Sequence, residues 1–183
     1  GELSLASRDW DGAEKSFRAV LELEPKEPRA LLGHGQAQEG LKLPAEAQRT
    51  YEQLLDRDPD SSEALMALAR LAIDAKELPA ARKFYRAVLA KRAGDLGATF
   101  GLGLLELDGG DPSIALGLFR EASEISPRSA EVRYNMGLAS MKLGRPREAA
   151  ELFRVSLKMK PAQPKPWIAL GYLAQSGRRA SEA

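Results

Sequence analysis

The chain has no cysteine. That excludes disulfides, thiolate nucleophiles and the usual structural zinc sites. It leaves the compartment open, because such a chain suits the cytosol and an oxidising space such as the bacterial periplasm alike. There is a single histidine, His34, so no imidazole pair at i, i+4 can hold a metal. No run of 18 apolar residues occurs, so no membrane span is expected, and no amino-terminal stretch has the pattern of a signal peptide. The net charge is only +1, which argues against a general nucleic-acid binder. Gly101-Leu102-Gly103 lacks the third glycine and the preceding strand of a dinucleotide loop. A phosphate loop, a nucleophile elbow and a strand pattern are also missing; apolar runs such as residues 102–107 fall where a helical period already claims them. The placed acids, bases and nucleophiles that catalysis needs are not found. The chain therefore reads as non-enzymatic, with no catalytic residue, cofactor or metal expected, and His34 reads as a packed side chain.

What the sequence does have is a period. Ala13, Ala47, Ala81, Ala115, Ala149 and Ala183 stand 34 residues apart without an insertion. Four residues after the first five come Phe17, Tyr51, Tyr85, Phe119 and Phe153. Twelve residues before the last five come Gly35, Ala69, Gly103, Gly137 and Gly171, and Gly1 falls on the same beat. Twelve residues after an alanine comes Pro25, Pro59, Pro127 or Pro161, with Ala93 the exception. A fixed period of this length marks a repeat array. Small residues let two helices cross closely, the ring fills the space beside the crossing, and the proline ends one unit and leads into the next.

This pattern resembles the tetratricopeptide repeat family, a 34-residue helix–turn–helix unit. In that family small residues stand at the eighth and twentieth positions, an aromatic at the twenty-fourth and a proline at the thirty-second. The last unit adds Trp167, Leu170 and Gly171 at the family's fourth, seventh and eighth positions. The resemblance implies an all-α fold: a right-handed superhelical solenoid of stacked antiparallel helix pairs. The expected organisation is one array, with residues 1–27 a partial repeat, 28–61, 62–95, 96–129 and 130–163 complete repeats, and 164–183 partial again. A second helix is expected from about Trp10 to Leu23. Turns are expected near the fifteenth position, at Gly110 and Gly144, with Gly40 and Gly177 slightly earlier. Pro44, Pro79, Pro112 and Pro146 open the helices that follow. Asp111, Ser61 or Ser62, and Ser129 are candidate N-caps, and Gly94 a candidate left-handed cap. Both ends fall inside units, so a longer array is expected. In the last unit the first helix should end near Gln175 and leave Trp167, Leu170 and Gly171 uncovered, an end open to self-association.

The resemblance also implies where a partner binds. In the family the first helix of each unit lines a concave groove with its second, fifth, ninth, twelfth and thirteenth positions. Here these include Met66, Arg70, Ile73, Phe100, Leu104, Leu107, Tyr134, Leu138, Met141, Lys165, Ile168 and Tyr172. Most are apolar, and the repeat seam does not require them. An apolar stripe of this kind marks an interaction surface, suited to a protein or peptide segment, helical for preference. A carboxylate clamp for chaperone tails is a poor fit. Asn135 and Lys165 match it, but Phe100, Leu104 and Ala169 replace its other three residues. Charge is also uneven. Residues 1–61 carry 8 Lys and Arg against 13 Asp and Glu, and residues 128–183 carry 11 against 4. The asymmetry is either a solvated surface or the mark of a polar partner or of head-to-tail stacking. The function read from these features is a protein-binding scaffold or adaptor. The alternatives are an accessory array of a larger enzyme, such as a glycosyltransferase, and a self-assembling scaffold.

Overall fold

The computed structural model describes Glu2 and residues 9–182, with the backbone alone for 177–182. Gly1 and Ala183, two positions of the periodic pattern, lie outside the described residues. Ten α-helices and no strand are present among the described residues. They are α1 (Trp10–Leu23), α2 (Pro28–Gly40), α3 (Pro44–Leu55), α4 (Ser62–Asp74), α5 (Leu78–Lys91), α6 (Leu96–Gly109), α7 (Pro112–Ile125), α8 (Ala130–Lys142), α9 (Pro146–Met159) and α10 (Pro164–Glu182). The starts of α1, α3, α5, α7 and α9 are 34 residues apart, and so are those of α2, α4, α6, α8 and α10. The chain forms two compact units, Gly1–Ala93 and Gly94–Ala183. The boundary falls at the one junction without the period's proline.

Local chemistry sets the helix starts. Pro28, Pro44, Pro79, Pro112 and Pro146 occupy first-turn positions, where a missing N–H costs nothing. Asp9 accepts from the Gly12 amide (3.0 Å), Asp95 from Ala98 (2.9 Å), Asp111 from Ser113 (2.7 Å), Ser61 from Ala64 (3.4 Å) and Ser129 from Val132 (3.3 Å). Each satisfies an amide that the helix cannot.

The turns fall near the expected fifteenth position, but glycine builds only some of them. Lys42 (φ 60°), Lys76 (φ 62°) and Gly144 (φ 69°) take the left-handed conformation at one repeat position. At each, the next residue's amide reaches back into the helix: Leu43 to the Gln38 carbonyl, Glu77 to Ala72 and Arg145 to Ser140. This is the double-bonded helix ending usually built on glycine. Gly110 stands at that position with a negative φ (φ −119°, ψ −139°), not the left-handed conformation. Gly40 is the last residue of α2 and not part of a turn. A Cβ there would lie 2.2 Å from Trp10 Cδ2, so its role is to admit the indole. Gly94 is not left-handed: α5 ends at Lys91, and Gly144 is the one described glycine with positive φ.

The seam of each helix pair is built on the small residues. Ala13, Ala47, Ala81, Ala115 and Ala149 are fully buried. A Cβ on Gly35 would approach Tyr51 to 2.5 Å, one on Gly103 would approach Phe119 to 2.7 Å, and one on Gly137 would approach Phe153 to 2.5 Å. At these three crossings the ring fills the space that the glycine leaves, while in the intervening repeat Ala69 and Tyr85 are buried at the same two positions. Each ring so buried contributes about 1.5–3 kcal/mol. Gly33 has the same relation to Phe17 of the preceding repeat, with a would-be contact of 2.3 Å.

The last helix is a correction. The expected turn at Gly177 does not form, and α10 runs without interruption from Pro164 to Glu182. The turns before α3, α5, α7 and α9 are each followed by a proline in the first helical turn. Residues 178–183 contain none. A lone glycine costs a helix only about 1 kcal/mol, so nothing stops the helix there. On α10 Trp167 is exposed, and Gly171 faces open space instead of a ring.

Candidate partner-binding face

In the first unit, Met66, Arg70 and Ile73 lie one turn apart on α4 and share a face. Met66 and Ile73 are half-buried, while Arg70 is exposed. Arg70 is already engaged. Its guanidinium donates to Glu39 on α2 at 3.2 and 3.4 Å, and the Tyr51 hydroxyl donates to the same carboxylate. Burial, followed by this bond to Glu39, pushes the Tyr51 phenol well above its ordinary range. Burial also raises Tyr85, against an opposing pull from Arg70. The polar groups of this face thus satisfy one another.

His34 is packed in the same unit. Its Nε2 lies 3.2 Å from Glu14 and 3.5 Å from the Gln38 amide, and Gln38 in turn accepts from the Thr50 hydroxyl at 2.8 Å. Arg18 completes the chain through Glu14. This network pairs His34 and joins α1, α2 and α3 through polar groups.

The second unit is different. Phe100, Leu104 and Leu107 form one face of α6, and Tyr134, Leu138 and Met141 form one face of α8. Phe100 stacks on Phe119 with ring centroids 5.5 Å apart, and Tyr134 on Phe153 at 5.6 Å. Both rings are half-buried and partly committed to the seam. Burial raises the Tyr134 phenol. Leu107 is buried, 8% exposed, so it is core as much as surface. Asn135 is also buried, at 7%, and its amide nitrogen donates to the Glu131 carbonyl one turn back (2.9 Å). Leu104 is 39% exposed. With Leu107, Asp108, Leu138, Met141 and Lys142 it encloses a cavity of about 490 Å³. The Lys142 ammonium donates to the Leu107 carbonyl and forms part of the rim.

Leu104 also borders a larger cavity of about 790 Å³. Its walls include Arg128, Glu131, Tyr134, Met159, Lys160 and Lys165. On α10 Lys165, Ile168 and Tyr172 are exposed. The period pointed to the apolar face. It gave no signal for Arg128 and Lys160, which lie in connections between helices, or for Met159, the last residue of α9; all three reach the site through folding alone.

No described helix is long and apolar enough to cross a membrane, and no group of three or more described acids or histidines is placed to hold a metal. A family model described as tetratricopeptide repeat matches residues 1–47, 40–95 and 100–164. No curated protein matches the chain. Among solved structures, MamA superposes with a TM-score of 0.81 at 24% identity, over 88% of this chain and 94% of that one. YrrB, described as a TPR protein with an unusual peptide-binding site, gives 0.79 at 19% identity, over 92% and 87%. A tetratricopeptide repeat protein from Parabacteroides merdae ATCC 43184 gives 0.84 at 20%, over 97% and 71%. At these identities the likeness is one of fold.

Proposed function

The chain belongs to the tetratricopeptide repeat family, and we propose that it is a non-enzymatic scaffold that binds an apolar or amphipathic protein segment on the α6–α8 face of its second unit. The observation that carries this is the cavity between Leu104, Leu107, Leu138 and Met141. The seam behind it is already closed by Gly103 against Phe119 and Gly137 against Phe153, so packing of the repeat does not require Leu104 to be apolar and exposed. YrrB's described peptide-binding site supports a peptide as the occupant. Three apolar anchors would contribute about 6 kcal/mol, against an association cost of about 4–15 kcal/mol. Further contacts are needed, and a short segment should bind with a Kd of about 1 μM or weaker.

The test is affinity capture with the wild-type chain and with Leu104→Glu, followed by calorimetric titration of synthetic segments of the captured protein. Leu104→Glu should keep its helical circular dichroism and lose the segment. Retained binding would move the site elsewhere.

A second reading, self-association, is favoured by one observation: Trp167 (60% exposed), Ile168 (56%) and Tyr172 (64%) make an apolar patch on α10. Sedimentation velocity over a range of concentrations tests it. Association that Tyr172→Glu abolishes supports this reading, and a monomer at high concentration refutes it.

A further inference from the structure

We infer that the segment taken by the second unit carries acidic residues beside its apolar anchor, and that Arg128, Lys160 and Lys165 receive them. The inference rests on the reading above and adds a charge requirement to it.

Three observations carry it. The first is adjacency. Leu104 lines both the apolar cavity and the larger one that Arg128, Lys160 and Lys165 border. An extended or helical segment with a side chain against Leu104 therefore has its neighbouring residues beside these cations. The second is that the cations are unspent. Among the described residues none of the three has an acidic partner, and the cavity holds one acid, Glu131. The first unit's Arg70, by contrast, is held by Glu39, and its Lys91 pairs with Asp60 at 2.9 Å. The third is that the repeat does not demand this charge. Glu24 and Asp58 occupy, at the 34-residue interval, the position that Lys160 fills here. The same place in the unit accepts either sign, so a positive one is a local choice.

The physics follows. The cavity also includes Ala130 and Pro164, the first residues of α8 and α10. The first-turn amides of α8 add to a positive potential, whereas Pro164 and Pro166 leave the start of α10 with few amides to contribute. Apolar Met159, Tyr134 and Pro164 line the same cavity as the cations. They lower the water content around a docked carboxylate, where charge pairs are worth more than in open solvent. The apolar contacts would supply the affinity, and the charges would select the partner and speed its approach. The apolar lining also favours a protein segment over a nucleic-acid backbone, which would leave those side chains wet.

The experiment is selection of random short peptides on the 183-residue chain, with the same selection on Lys160→Glu/Lys165→Glu and on Leu104→Glu. Circular dichroism checks each variant. Selected peptides are then titrated with every Glu and Asp replaced by its amide. Wild-type chain should enrich peptides that combine apolar and acidic residues. Amide replacement or charge reversal should each weaken binding by about tenfold or more, and raised salt should remove the difference. Peptides without acidic bias, sensitive to Leu104→Glu but not to charge reversal, would overturn this inference and leave the scaffold reading intact. Peptides insensitive to both variants, or none enriched, would overturn both. Tighter binding of poly-uridine RNA than of any selected peptide, lost on charge reversal, would also overturn it.

Discussion

Gly137→Ala and Gly117→Ala are the same chemical change in two helices, and they should move stability in opposite directions. Both residues sit inside helices, Gly137 in α8 and Gly117 in α7. Replacing a helical glycine with alanine gains about 1 kcal/mol in backbone propensity. At Gly117 the new methyl meets nothing within 4 Å, so the full gain should be seen. At Gly137 it would lie 2.5 Å from Phe153 Cε1 and 2.8 Å from Cδ1. Comfortable carbon contacts are about 3.5–4 Å, so the ring must retreat by roughly 1 Å. It has nowhere to go: Phe153 is fully buried, and Tyr134 packs on it at a centroid distance of 5.6 Å. Overpacking of this kind costs about 1–3 kcal/mol, which exceeds the propensity gain. Gly137→Ala should come out near 1 kcal/mol destabilised and Gly117→Ala up to 1 kcal/mol stabilised, roughly a 4–8 °C separation in midpoint for a chain of this size. Thermal melting by circular dichroism measures both. Adding Phe153→Leu to Gly137→Ala should recover part of the loss, a coupling expected only of residues in contact. Equal stabilisation by both alanines would show that the ring moves freely, and the glycine–ring account of the seam would be wrong.

Other expectations follow from the same packing. Ala115→Leu places a larger side chain in a fully buried site and should cost about 1–3 kcal/mol in the same melt. Lys76→Gly should stabilise by about 1 kcal/mol, because φ 62° is a left-handed conformation that costs an L side chain roughly that amount; destabilisation would mean that the Lys76 side chain is needed. Replacing His34 or Glu14 singly with leucine should destabilise, while the double replacement should cost less than the sum, since neither polar group is then left unpaired. The tyrosines predict an alkaline limit. Tyr51 is raised above its ordinary range in the fold, so the unfolded chain loses that proton first. Its contribution is whole below about pH 10 and falls as pH rises beyond that. Tyr51→Phe should flatten the fall, read as melting midpoint against pH.

The period and the prolines that punctuate it were enough to place the helix starts. Alanine, aromatic and proline recur at 34 residues because each unit meets the same neighbours, and that repetition is written locally. The candidate face was legible to the same extent: Phe100, Leu104 and Leu107, and again Tyr134, Leu138 and Met141, stand at i, i+4 and i+7 spacings that any helix would align. Which polar groups are free was not legible. Arg70 meets Glu39 from 31 residues away, whereas Lys160 and Lys165 meet no acid among the described residues, and composition treats them alike. Leu107 and Asn135 carry surface positions in the pattern yet are buried, because the depth of a residue depends on the neighbouring helix and not on its own. The continuation of α10 through Gly177 likewise needed the chain's context: glycine permits a turn, but only a following proline or a packed partner imposes one. Sequence determines spacing through local backbone preference and side-chain size. Pairing, burial and leftover charge are properties of surfaces brought together, and those only the tertiary structure decides.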